Sequence, residues 1–265
     1  MLTAPIDQPV NLLTQAILSY GSWSLTAAIL IIAIRKDQQQ HRPFYSLLVL
    51  AGLVAAFAEP LYDVGFTLWF YAPGQWTVFS AYQIPQPNWT FSGYTVLYSG
   101  TAMYICESLR KGISPQQLLG WGGIALAMSM AFETIGINGG AYTYWGAHVL
   151  RIFDYPIAIG ILEATQVLCY SVAAHLLRTH TQGIKPLFGL FILFPCTFYL
   201  VNFGAGSPLI IALHLDPPIA SPLLSYIGTL TSILFASVIT YTVITLAPTV
   251  GSKKATSNDY SLSGV

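Results

Sequence analysis

The sequence predicts an all-α, polytopic integral membrane protein of seven transmembrane helices, and three observations predict it. Seven apolar stretches approach or exceed the roughly 20 residues that cross the hydrocarbon of a bilayer. Of the 265 residues, 54% are hydrophobic and only 8% charged, a balance foreign to soluble domains of this size. The basic residues alternate along the chain. With seven spans, Arg35, Lys36, Arg42, Arg110, Lys111, Arg178, Lys185, Lys253 and Lys254 share one side and Arg151 alone takes the other. Because Lys and Arg are retained on the cytoplasmic side, the N-terminus is expected outside and the C-terminus inside.

The first stretch, Leu12 to Arg35, lacks a basic start and a small-residue cleavage site ahead of it and reads as a retained anchor. The second, Phe44 to Tyr71, carries Glu59, Pro60 and Asp63. The third, Phe91 to Leu109, ends in Glu107, four residues before Lys111 and spaced for an ion pair. Glu133 lies near the outer end of the fourth, Leu118 to Ile137. The fifth, Leu150 to Leu177, holds Asp154, Pro156, Glu163 and Gln166, with Arg151 placed to pair with Asp154. The sixth, Leu187 to Leu213, contains Pro195, and the seventh, Ile219 to Leu246, contains neither acid nor lysine. Residues 1–250 thus read as one transmembrane domain, and residues 251–265, polar and small, as a disordered cytoplasmic tail. A multi-pass location in a plasma membrane or endomembrane follows.

Acids inside spans are the chemical signal. Each costs roughly 3 kcal/mol at bilayer depth on insertion scales, which calls for a polar cavity. Glu59 and Asp63 are four apart, on one helical face. Two such close acids do not ionise together readily, so the pair can supply a general acid and a general base. Proline breaks at Pro60 and Pro156 coincide with acids, and such breaks survive in a bilayer where neighbours or trapped water satisfy the backbone. Glu133 precedes a glycine and tyrosine turn, ETIGINGGAYTYWG, at about the depth of Asp63. The loop Ala72 to Thr90, APGQWTVFSAYQIPQPNWT, reads as an ordered aromatic lid. Glu59, Asp63 and Glu133 are the expected catalytic residues. Tyr62, Trp69, Trp76, Asn138, Tyr142, Tyr144, Glu163 and Gln166 are the expected substrate contacts.

Other chemistries lack their residues. The seventh stretch has no lysine for a retinal Schiff base. The five histidines lack the facing pairs of haem or di-iron ligands. Cys106, Cys169 and Cys196 have no metal spacing, and no phosphate cradle or nucleophile elbow occurs. No metal and no cofactor is expected. A nucleic-acid partner is excluded for want of a basic cluster; the expected partners are the bilayer and a lipophilic small molecule.

The runs EPLYDVGFTLWFYAPGQW, PNWTFSGY and ETIGINGGAYTYWGA resemble the avermectin-type spirocyclase-like membrane family, and the last also resembles the membrane carotenoid hydratases. The resemblance spans residues 44–170. It implies acid-catalysed, non-redox cyclisation of a greasy terpenoid or polyketide intermediate, with Glu59, Asp63 and Glu133 at the acidic places. A proton-coupled carrier of a small lipophilic molecule would use the same acids as a relay, and a receptor or assembly protein would use them for packing.

Overall fold

The computed structural model describes residues 4–216 and 219–247. Helix α1 (Leu12–Gln40) starts at Asn11, whose side chain caps the Leu13 and Thr14 amides. Helix α2 (Phe44–Ala55) passes through a 3-10 turn at Ala56–Ala58 into α3 (Glu59–Gly65), with Pro60 in its first turn. A proline costs least there because its missing N–H has no intrahelical partner.

Strand β1 (Leu68–Phe70) follows, then a hairpin of β2 (Thr77–Ala81) and β3 (Ile84–Pro87). Asn88–Tyr94 (α4), a π-helical turn at Thr95–Gly100 and Thr101–Lys111 (α5) run on as one rod. Helix α6 (Pro115–Asn138) opens on a capping box between Ser114 and Gln117. Strand β4 (Tyr142–Tyr144) pairs antiparallel with β1, and β5 (Arg151–Ile152) with β6 (Tyr155–Pro156). Helix α7 (Ile157–His180) comes next. A 3-10 turn at Lys185–Gly189 leads into α8 (Leu190–Tyr199), which contains Pro195; a second π turn at Leu200–Ala205 leads into α9 (Ser207–Leu213). Helix α10 (Pro222–Leu246) ends the described chain.

The protein is mostly helical, and six helical stretches are long and apolar enough to cross a membrane: Leu12–Gln40, Phe44–Gly65, Pro115–Asn138, Ile157–His180, Lys185–Ala205 and Pro222–Leu246. The expected third span lies in the rod of α4 and α5, which carries Glu107, Arg110 and Lys111 near its end and is not among the six. Helix α7 is central, 83% buried over its span, whereas α10 is 22% buried and turns Leu223, Leu230 and Leu234 outward. An apolar exterior around a polar-bearing centre is the pattern of a multi-pass membrane protein. The proposed tail at 251–265 lies outside the described residues.

Three boundaries depart from expectation. The second helix stops at Gly65 rather than Tyr71, because Thr67 takes a left-handed φ of 51° and turns the chain into β1. The fifth begins at Ile157, so Pro156 precedes it instead of kinking it. Phe153 and Asp154, at φ 49° and 63°, form the two-residue turn of the β5–β6 hairpin. Asp154 is therefore exposed on a turn, and Arg151 bonds its backbone oxygen at 3.0 Å in place of the expected ion pair. Glu107 does pair with Lys111 at 3.3 Å, and with Arg110 at 2.7 Å.

Candidate functional site

Glu59 on α3, Glu133 on α6 and Glu163 on α7 are all buried and line one cavity at the strand-bearing end of the bundle. Tyr62, Tyr94, Tyr98 and Thr90 add hydroxyls to its wall. Its volume is about 30 Å³, room for about two waters.

Each acid has a different environment. Glu163 accepts four hydroxyls: Tyr62 at 3.2 Å and Tyr98 at 2.9 Å on one oxygen, Tyr155 at 3.1 Å and Ser129 on the other. These donors come from α3, the α4–α5 rod, β6 and α6, so this carboxylate ties four segments to α7. An ionised carboxylate offers about four acceptor sites, and here all are taken. Glu59 accepts one bond, from the Tyr94 hydroxyl at 2.6 Å. Glu133 keeps its Oε2 without a hydrogen-bond partner among the described residues, as do the Tyr142 hydroxyl and Thr90 Oγ1. Buried polar atoms are nearly always paired in native proteins, so these three lining groups mark where the cavity can hold a polar ligand atom.

The straps that close the cavity follow from alternation along β4. Tyr142 and Tyr144 are buried while Thr143 between them is partly exposed, as the two-residue period of a strand requires. Pairing of Phe70 with Tyr142 and Leu68 with Tyr144 lays the tyrosines over the acids. Phe70, Trp89 and Tyr142 then form a roof with ring centroids 5.3 to 5.4 Å apart. Gly136, one turn after Glu133, admits the Tyr142 ring, which occupies the space a Cβ there would take.

The straps are stapled at His148. Its Nε2 donates to the Phe66 carbonyl at 2.8 Å, with Thr67 Oγ1 at 3.2 Å. Thr67 in turn accepts the Gly146 amide. Arg151 bonds the backbone oxygens of Tyr144 and Gly146 from the other side. Burial pushes the His148 imidazole down to about 3, since desolvation disfavours its charged form. Burial, and then the negative charge of Glu133, pushes the Tyr142 and Tyr144 phenols well up, so both are hydroxyl donors.

The expected residues divide between this site and elsewhere. Glu59, Glu133, Glu163, Tyr62 and Tyr142 line the cavity, and the Tyr144 hydroxyl lies 3.5 Å from that of Tyr62. Asp63 does not join Glu59: fully buried, it accepts from Gln86 of β3 at 2.5 Å and fastens the hairpin. Gln166 bonds Thr197 on α8, facing away from the cavity. Asn138 bonds the Phe153 and Thr134 carbonyls. Trp76, 41% exposed, stacks edge-on against Tyr20, and Trp69 is buried outside the cavity lining.

Sequence reasoning missed Tyr94, Tyr98, Tyr155, Ser129 and Trp89. A signal for two existed, since Tyr94 and Tyr98 stand four apart, on one helical face, in the first half of the third apolar run. Among the described residues no three His, Cys, Asp or Glu side chains gather as a metal site. The chain matches no protein-family model, no curated protein and no solved structure.

Proposed function

We propose that the protein is a seven-span membrane enzyme, N-terminus outside, that performs acid-catalysed, non-redox ring closure on a lipophilic intermediate. One observation carries the reading: three carboxyl groups from three helices meet in one buried cavity, where Glu133 keeps a fully buried oxygen without a partner among the described residues and Glu59 accepts only the Tyr94 hydroxyl. Glu133 is the general acid, giving a proton to a carbonyl oxygen of the substrate. Glu59 is the base, taking the proton from the attacking hydroxyl as the carbon–oxygen bond forms. Glu163 holds Tyr62, Tyr98 and Tyr155 in place and is a positioning residue. The ring faces of Phe70 and Trp89 favour positive charge developing beneath them.

A cavity for about two waters is a closed state. Substrate enters when the roof lifts, and the roof rides on β1 and β4 and the start of α4, so it can move without parting the central helices. Cyclisation is chosen here on the resemblance of EPLYDVGFTLWFYAPGQW and PNWTFSGY to spirocyclase-like proteins, and hydration is the alternative that the resemblance of ETIGINGGAYTYWGA to carotenoid hydratases implies.

The test compares lipophilic extracts of cells with and without the chain. The expected product is an isomer with the substrate's mass at a new retention time. Glu133→Gln should lower its formation by about 10² or more, the usual worth of a general acid, at unchanged protein level in the membrane. Product formed at the wild-type rate by Glu133→Gln removes the acid assignment. A molecule moved across the membrane unchanged and in proportion to a pH gradient replaces the enzyme by a carrier.

A further inference from the structure

Helix α1 lends no side chain to the carboxyl cavity, yet its first turn grips both chains that roof it. Gln15 is 0% exposed although Gly74 and Trp76, which it bonds, are exposed. Its side-chain amide donates to the Gly74 carbonyl at 3.1 Å and accepts the Trp76 amide at 2.6 Å. One side chain thus fills the place of a strand's peptide group, with a donor and an acceptor fixed side by side. Around it, the Val10 amide donates to the Pro73 carbonyl at 3.0 Å and the Asn11 amide to the Gly140 carbonyl at 2.9 Å. The Thr14 hydroxyl donates to the Gly139 carbonyl at 2.7 Å. Only glycine allows that approach, since a Cβ at Gly139 would fall 2.5 Å from Thr14 Cγ2.

These bonds land at one end of the roof. The Tyr71 amide donates to the Ala141 carbonyl at 3.1 Å, which carries the pairing of β1 with β4 one step past Phe70 and Tyr142. The residues that α1 grips, 73–76 and 139–140, flank that step on both chains. The grip also reaches α4. The Trp76 carbonyl accepts the Asn88 amide at 3.1 Å, and Asn88 opens the helix that supplies Trp89 and Thr90 to the cavity lining. The opposite end of the roof, at Leu68 and Tyr144, is held by the bond of His148 to the Phe66 carbonyl.

We propose that Gln15, assisted by Thr14, is a positioning residue that holds the roof shut at its Phe70–Tyr142 end, so that its bonds set how readily the cavity opens. This rests on the reading that substrate enters beneath a lifting roof. Gly74 and Gly140, at φ 84° and 78°, give the gripped segments the backbone freedom to swing when the bonds release.

Thiol labelling in lipid nanodiscs tests the hold without substrate. In a Cys196→Ala background, Thr90→Cys reports opening of the cavity, while native Cys106 and Cys169, both buried, report loosening of the whole bundle. Gln15→Met keeps the length of the side chain and loses both bonds; it should raise the maleimide rate at position 90 about tenfold, with Cys106 and Cys169 unchanged. Thr14→Val, which removes one bond, should raise that rate less. Ser22→Ala breaks the contact of the Ser22 and Ser92 hydroxyls, 2.7 Å apart on the same helix pair but away from the straps, and should leave it as in wild type. An unchanged rate in both Gln15→Met and Thr14→Val, or a rise shared equally by Cys106 and Cys169, would overturn the proposal. Because labelling reads no reaction, a failure of this hold and a failure of ring closure in cell extracts are told apart.

Discussion

At the scale of single residues, the distinction that matters is between a carboxyl group already satisfied and one left open. Glu163 accepts four hydroxyls, while Glu133 retains a bare oxygen. Glu163→Gln replaces an acceptor with an NH₂ that faces donors, at a cost of about 1–3 kcal/mol for polar groups left mispaired. Glu133→Gln should cost less, because fewer bonds depend on it; thermal unfolding of both variants in lipid nanodiscs orders them, and the reverse order would undo the division of roles. His148 gives a pH prediction of definite sign. Its folded value lies near 3 against an ordinary 6.5, so the unfolded chain binds the proton first and stability falls as pH drops below about 6.5. By pH 5 this amounts to about 2 kcal/mol. His148→Gln, which keeps an N–H for the Phe66 carbonyl, should flatten the pH dependence between 7.5 and 5. An equal slope in wild type and variant would place the proton elsewhere. The sequence showed which acids were too expensive to be accidental, because cost depends on residue type and depth. It did not show where they aim: Asp63 sits one turn from Glu59 yet serves Gln86, a partner 23 positions away that periodicity cannot reveal.

At the scale of elements, long helices were legible and short straps were not. Apolar runs of twenty or more residues announce themselves, but β1, β4, β5 and β6 span two or three residues, and paired segments that short depend on their partners more than on their own sequence. Hence Leu68–Phe70 and Leu150–Pro156 read as helix on composition, although left-handed Thr67, Phe153 and Asp154 break the run. The tyrosines of β4 were still identified, because they stand in the glycine and tyrosine turn that follows Glu133. Their seating depends on Gly136, where even one methyl group would meet the Tyr142 ring. Gly136→Ala should therefore cost about 1–3 kcal/mol as an overpacked core position, despite alanine being the better helix former. It should also lift the roof, seen as faster amide exchange across 68–70 and 142–144. Unchanged exchange there would mean that the ring is not what holds β4 on α6.

At the scale of the whole molecule, the hairpin and straps crowd one end of the bundle while the basic residues among the described ones, Arg151 excepted, gather at the other. Arg42 reaches the Arg178, Thr181 and Gly183 carbonyls, and Arg178 bonds the Tyr45 hydroxyl, tying α2 to the end of α7. Positive charge of the kind that marks a cytoplasmic side is thus also built into the packing of that end, and the proposed orientation sets the carboxyl cavity nearer the outer face. Cysteine mapping tests the assignment. Cys106 and Cys169 are buried, so a Cys196→Ala background removes the exposed thiol. Ser80, in the exposed β2 strand, and Gln182, in the turn after α7, lie at the two ends. A membrane-impermeant maleimide should label Ser80→Cys in intact cells and Gln182→Cys only after permeabilisation. The opposite pattern would invert the molecule. Labelling of both from outside would place an even number of crossings between them, and the rod of α4 and α5 would then lose its place as a span, since that rod, α6 and α7 are the three helical stretches between Ser80 and Gln182.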